Sequence, residues 1–167
     1  DNVEVVHRPE FGDWKGMFWR FFPASEKDVE VMISRDADSR LNIREKAAVD
    51  EWLASNKKMH IMRDHPHHCY PILGGMWGAR KGAINNIDQL IDGFEQEDAY
   101  GTDYKFFAEL IFPNMQESDV MVHDEFFEGQ PFPTKREGLQ FVGQVFDENE
   151  ETIDEHDKIL KKYYENK

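Results

Sequence analysis

A chain of 167 residues with 40% hydrophobic and 13% aromatic content is long enough for one sizeable core and too short for two ordinary domains, so residues 1–167 read as a single domain. Its 34 acidic residues against 20 basic give a formal net charge of −14, which repels phosphate backbones and argues against nucleic acid as a partner. The lone Cys69 allows no internal disulfide, no apolar run approaches the ~18 residues of a membrane span, and no signal-peptide pattern opens the chain; the expected location is the cytoplasm.

Strand and helix patterns alternate along the chain. "NVEVVHR", residues 2–8, reads as a short strand, and "DWKGMFWRFFPAS", residues 13–25, as an aromatic helix that Pro23 ends. Trp14, Phe18, Trp19, Phe21 and Phe22 suit a core; wherever this aromatic N-terminal region is exposed it offers a surface for homo-oligomerisation.

"DVEVMIS", residues 28–34, is the next strand, and its apolar run suits a strand covered on both faces. It ends in "RDADSR". In extended backbone Asp36 and Asp38 project to the same side, and two hard oxygen ligands pointing together suit Mg²⁺ or Mn²⁺. Arg35 and Arg40 either pair with those acids or meet diphosphate oxygens. The alternative is a surface turn whose Asp38 or Ser39 caps the next helix. That helix, "NIREKAAVDEWLAS", residues 42–55, has an apolar side of Ile43, Ala47, Ala48 or Val49, and Trp52 or Leu53, leaving Arg44, Glu45, Lys46, Asp50 and Glu51 to solvent.

"KMHIM", residues 58–62, is a third strand, ending at "RDHPHH". Arg63, Asp64, His65, His67 and His68 either ligate a metal and a polar ligand or are surface and packing residues of a loop. In "ILGGMWG", residues 72–78, Gly74, Gly75 and Gly78 let backbone approach a ligand and Trp77 offers a face for a sugar or base; a tight turn around a core indole fits the same residues. "AINNIDQLIDGF" and "YGTDYKFFAELIFP" are amphipathic helices. Asp103 stands in the first turn of the second, as a helix cap or as a general base anchoring an acceptor hydroxyl. "SDVMVHDEFF", residues 118–127, is the last strand, with His123 as a nitrogen ligand and Asp124 to orient it. Residues 134–167 form a mostly polar extension, interrupted by "LQFVGQVF" and closed by a helix over "ETIDEHDKILKKYYEN". The alternation predicts an α/β sheet, and such sheets bind ligands at the carboxyl ends of their strands, where three titratable clusters fall here.

Taken in order, "ISRDADSR", "HIMRDHPHH", "ILGGMWGARKG", "YGTDYKFF" and "VHDEFF" resemble a family of nucleotide-sugar glycosyltransferases of the GT-A type, found among bacterial and viral polysaccharide-synthesis proteins. The resemblance spans roughly residues 28 to 127. It implies a GT-A-like, Rossmann-related mixed sheet flanked by helices, and transfer of a sugar from a nucleoside diphosphate to a glycan or other hydroxyl acceptor, with Mn²⁺ or Mg²⁺ as cofactor. Asp36 and Asp38 would be the Asp-x-Asp motif, with Asp38 as direct metal ligand and Asp36 nearer the ribose. His123 would be the third metal ligand, and Arg35 and Arg40 would face the donor diphosphate. Asp103 and Asp64 would be the catalytic acids, and Arg63, His65, Gly74, Gly75 and Trp77 would line the sugar and acceptor pocket. Only 35 residues precede Asp36, so the resemblance also implies a nucleotide-binding half that is short at its N-terminal side. Two other readings stand beside it: a metal phosphoesterase built on the His-rich loop with His123 and Asp124, and a non-catalytic interaction module.

Overall fold

The computed structural model describes residues 2–9, 12–95 and 99–166. A four-stranded mixed sheet of order β1-β3-β2-β4 lies at its centre: β1 Val31–Arg35, β2 Met59–Arg63, β3 Met76–Arg80 and β4 Val120–Asp124. β3 is antiparallel to both β1 and β2, and β4 is parallel to β2. β1, β2 and β4 therefore run the same way. Arg35 pairs with Met76 and Arg63 with Asp124, so the ends of three strands and the start of β3 meet on one edge.

Each sheet face carries its own core. On one face Phe18, Phe21, Ile61, Trp77, Phe106 and Phe107 form the larger cluster, supplied by the sheet, by a 3-10 helix over Trp14–Ser25, and by helices α2 (Ile87–Gly93) and α3 (Thr102–Phe106). On the other, Ala48 of helix α1 (Ile43–Ala54) packs with Met62, Met76, Phe132 and Val142. Helix α4 (Asp154–Glu165) closes the described chain. Among the described residues no helix is long and apolar enough to cross a membrane.

The N-terminal helix explains its aromatic run. A 3-10 helix has three residues per turn, so positions three apart share a face. Phe18, Phe21 and Ala24 are all buried, while Met17 and Arg20 fall together on the neighbouring face. Asp13 starts the helix, its carboxylate accepting from the Lys15 N–H at 2.9 Å, and the Glu26 N–H closes it on Pro23 O at 3.3 Å. With Phe18 and Phe21 in the core, the surface expected for self-association shrinks to Trp14, 43% exposed.

Four sequence expectations need correction. Residues 2–8 form no strand and carry Val3, Val5 and Val6 in the open. β1 is an edge strand whose exposure alternates: Met32 faces the larger core, while Val31 and Ile33, on the opposite face, are left at the surface. In α1 the inward face is Arg44, Glu45, Ala48 and Trp52, whereas Ile43 is 72% exposed. The helix turns this way because its buried charges have partners: Arg44 meets Asp64 at 2.9 Å and Glu45 meets Arg35. The cap of α1 is Asn42, accepting from the Glu45 N–H at 2.8 Å, rather than Asp38 or Ser39.

These placements predict a large contrast in stability. Phe21→Ala should cost about 3–5 kcal/mol in urea denaturation, and Ile43→Ala no more than about 0.5 kcal/mol. Equal losses would show that the burial assigned to the two segments is wrong.

Candidate cleft at the carboxyl edge of the sheet

A cavity of about 480 Å³ opens at the edge where β1, β2 and β4 end. Asp36, Asp38, His65, Gly74 and Gly75 line it as the sequence anticipates, together with Arg20, Tyr70, Tyr104, Phe141 and His156. Another cavity, of about 340 Å³ and bordered by Lys58, Ile84, Leu90, Ile111 and Met115, lies at the opposite end of the sheet; its charged groups are a mutual Lys58–Asp119 pair at 2.7 Å. The chemistry gathers at the first.

Asp36 and Asp38 reach the same cavity through a turn, not through strand alternation. The Ser39 N–H and Oγ–H both donate to Asp36 O, at 3.3 and 2.8 Å. The Phe146 N–H donates to Asp38 O at 2.9 Å, which ties the turn to the C-terminal segment. Both carboxylates remain exposed. Among the described residues that of Asp38 is not engaged in a hydrogen bond.

Asp36 is engaged by a residue the sequence reading passed over. The Arg20 guanidinium grips Asp36 Oδ1 with Nη1 and Asp103 Oδ2 with Nη2, the latter at 3.0 Å. Asp103 is fully buried behind this arginine, and among the described residues its other oxygen has no hydrogen-bond partner. Burial pushes its carboxyl above the usual range while Arg20 pulls it back. It meets the cavity only through Arg20, so its expected contact with an acceptor is not direct.

Gly74 and Gly75 have a concrete steric reason. A Cβ on Gly74 would overlap the Arg20 guanidinium and the Asp103 carboxylate, and one on Gly75 would overlap the Asp36 carboxylate. Ser34 fixes this loop, its Oγ–H donating to Gly74 O at 2.6 Å. Trp77, two residues on, points into the core against Phe21 and Phe107 and offers no face to a ligand.

Several other expected residues stand elsewhere. Arg35 turns to Glu45, and Arg40 pairs with Glu150 at 2.5 Å on the surface. Arg63 pairs with Asp124 at 2.7 Å and lies over the Phe127 ring. Asp64 is completely buried, where Arg44 at 2.9 Å, Arg136 at 2.7 Å and the Val142 N–H at 2.9 Å hold it, and it does not line the cavity. His123 is three strands from β1, roughly 14 Å at ordinary strand spacing. Its Nδ1 meets His60 Nε2 at 2.8 Å and its Nε2 meets the Gln130 amide at 3.1 Å, so both ring nitrogens are occupied.

His123 therefore does not join Asp36 and Asp38 as a third ligand for the expected Mn²⁺ or Mg²⁺. Among the described residues no three His, Cys, Asp or Glu side chains stand together so as to hold a metal ion. The His-rich loop does not replace it. His65 Nδ1 accepts from the His67 N–H at 3.1 Å, its Nε2–H donates to His156 O at 3.1 Å, and His68 Nδ1 accepts from the Asp64 N–H at 3.0 Å. These bonds occupy both ring nitrogens of His65 and one of His68, while the His67 ring stays at the surface.

Arg20, Tyr104 and the C-terminal wall of Phe141, Gly143, Val145 and His156 escaped the sequence reading as site residues. A signal was present for Arg20, the single arginine in "MFWRFF" three residues after Met17, and for Phe141, Gly143 and Val145, in the apolar "LQFVGQVF" inside a polar tail; Tyr104 and His156 had none.

The neutral histidines give a pH dependence. Burial lowers the His65 imidazole to about 4 and that of His60 to about 3, against about 6.5 in the unfolded chain. Below 6.5 the unfolded chain binds protons that the fold does not. The stability from these groups is complete above that pH and is lost as pH falls towards 4 and 3, by up to about 2.7 kcal/mol per pH unit for the two together. Urea denaturation between pH 7 and 5 should show this loss, and His65→Gln should reduce it. A flat profile would contradict neutral burial.

No protein-family model, curated protein or solved structure matches this chain.

Proposed function

We propose that this chain works as a glycosyltransferase, its cleft receiving a nucleoside-diphosphate sugar and a hydroxyl acceptor. The observation that carries the reading is convergence: the acidic turn after β1, the glycine loop before β3, the start of α3 and the C-terminal segment supply one cavity of about 480 Å³. Its chemistry suits a sugar. Exposed carboxylates accept hydrogen bonds from sugar hydroxyls, and the Tyr70 and Tyr104 rings, 4.8 Å apart, offer faces to the apolar side of a pyranose.

Asp38 is the residue we assign to direct ligand contact, since it is exposed in the cavity and uncommitted. Arg20 lines the cavity with its charge shared between Asp36 and Asp103, so a donor diphosphate would compete with those carboxylates for it. His65 is neutral and acts through shape, its ring 4.6 Å from that of Phe141. Asp36 is held by Arg20 and sets that charge in place.

Thermal unfolding with a panel of nucleoside diphosphates and their sugars, in Mg²⁺ and in EDTA, tests the reading. At about 100 times Kd one of them should add about 2.7 kcal/mol, a rise in Tm of roughly 5–10 °C, and Asp38→Ala should remove it. No shift with any member in either buffer sinks the proposal.

A further inference from the structure

We propose that Arg20 is the resident cation of the cleft, occupying at Asp36 the place a divalent metal would take. Two carboxylates from distant parts of the chain, Asp36 after β1 and Asp103 in α3, converge on one guanidinium through separate nitrogens, with Nη2 at 3.0 Å from Asp103. The side chain is seated, not adrift: it is 24% exposed, its helix is anchored by Phe18 and Phe21 in the core, and Gly74 and Gly75 bring their backbone so close to the ion pairs that a Cβ at either would displace them. Asp103 is fully buried with one oxygen unpaired, so it needs a cation beside it. Arg20 meets that need with a forked geometry that no surface lysine could supply.

Room exists for the arginine to leave. A second, open cavity of about 750 Å³ lies on its other side, bordered by Trp14, Trp19, Arg35 and Ala37, and shares Met17, Arg20 and Asp36 with the cleft. The Arg20–Asp36 pair is the partition between the two. A divalent ion must break this pair to reach Asp36, and with Arg20 removed Asp36 and Asp38 become a free carboxylate pair on one turn. The wild-type cleft is thus selective against divalent cations by competition from within.

The inference rests on the proposed function only for the kind of cation considered, and its test uses Mn²⁺ alone, so that either can fail without the other. Isothermal titration calorimetry and Mn²⁺ electron paramagnetic resonance on the full chain should show weak binding to wild type, at least tenfold tighter binding to Arg20→Met, and loss of that gain in Arg20→Met/Asp36→Asn. Arg20→Lys, which keeps the charge but loses the fork, should fall between; it carries the test if the methionine variant does not fold. Equal Mn²⁺ affinity in wild type and the Arg20 variants, or a gain that survives Asp36→Asn, overturns the proposal.

Discussion

The ion pairs of Arg20 set the geometry on which the cleft depends. Its guanidinium joins the N-terminal 3-10 helix to the turn after β1 and to the start of α3, three segments that do not otherwise share backbone hydrogen bonds. The energy at stake follows from burial. An exposed pair contributes little, because water screens it and the side chains lose freedom. A fully buried carboxylate such as Asp103 is different, since removing its partner leaves an uncompensated charge. Arg20 can hold this place because a three-residue helical period puts it beside Met17 on one face while Phe18 and Phe21 anchor the adjoining face.

A second hub does the same for the far wall. Asp64 lies just past β2 and accepts from Arg44 in α1, from Arg136, and from the Val142 backbone. These bonds draw the segment from Arg136 to Val142 back across the sheet, and the Phe146–Asp38 and Ser39–Val145 contacts carry it on to the acidic turn. The stretch that reads as a polar extension is therefore a wall of the cavity. Its acidic exterior accounts for the polarity, and its inward residues are few: Phe141, Gly143, Val145 and His156 line the cavity, and Val142 and Gln144 are buried behind them.

Much of the sheet was legible in the residues. The apolar runs around Met32, Ile61 and Val122 placed β1, β2 and β4, and the charged strand ends marked the edge at which the cavity of about 480 Å³ opens. What failed had physical causes. Periodicity cannot tell a helix of three residues per turn from one of 3.6 over twelve residues, so Arg20 read as incidental among aromatics. The buried face of α1 was misjudged because Arg44 and Glu45 look like solvent residues until Asp64 and Arg35 are brought to them by the fold. Trp77 and Asp64 sit in motif-like contexts, yet alternation along β3 turns the indole inward, and three donors enclose the carboxylate. His123 ends its strand as expected, but strand order sets it at the far side of the sheet, which no local pattern reveals.

The cleft therefore combines exposed carboxylates, imidazoles and one held guanidinium. The coupling between Arg20 and Asp103 tests this account most directly. A double-mutant cycle with Arg20→Met and Asp103→Asn, read by urea denaturation, should give an interaction energy of at least about 1 kcal/mol. Additivity within about 0.3 kcal/mol would contradict it, because the two side chains would then not be joined in the folded protein.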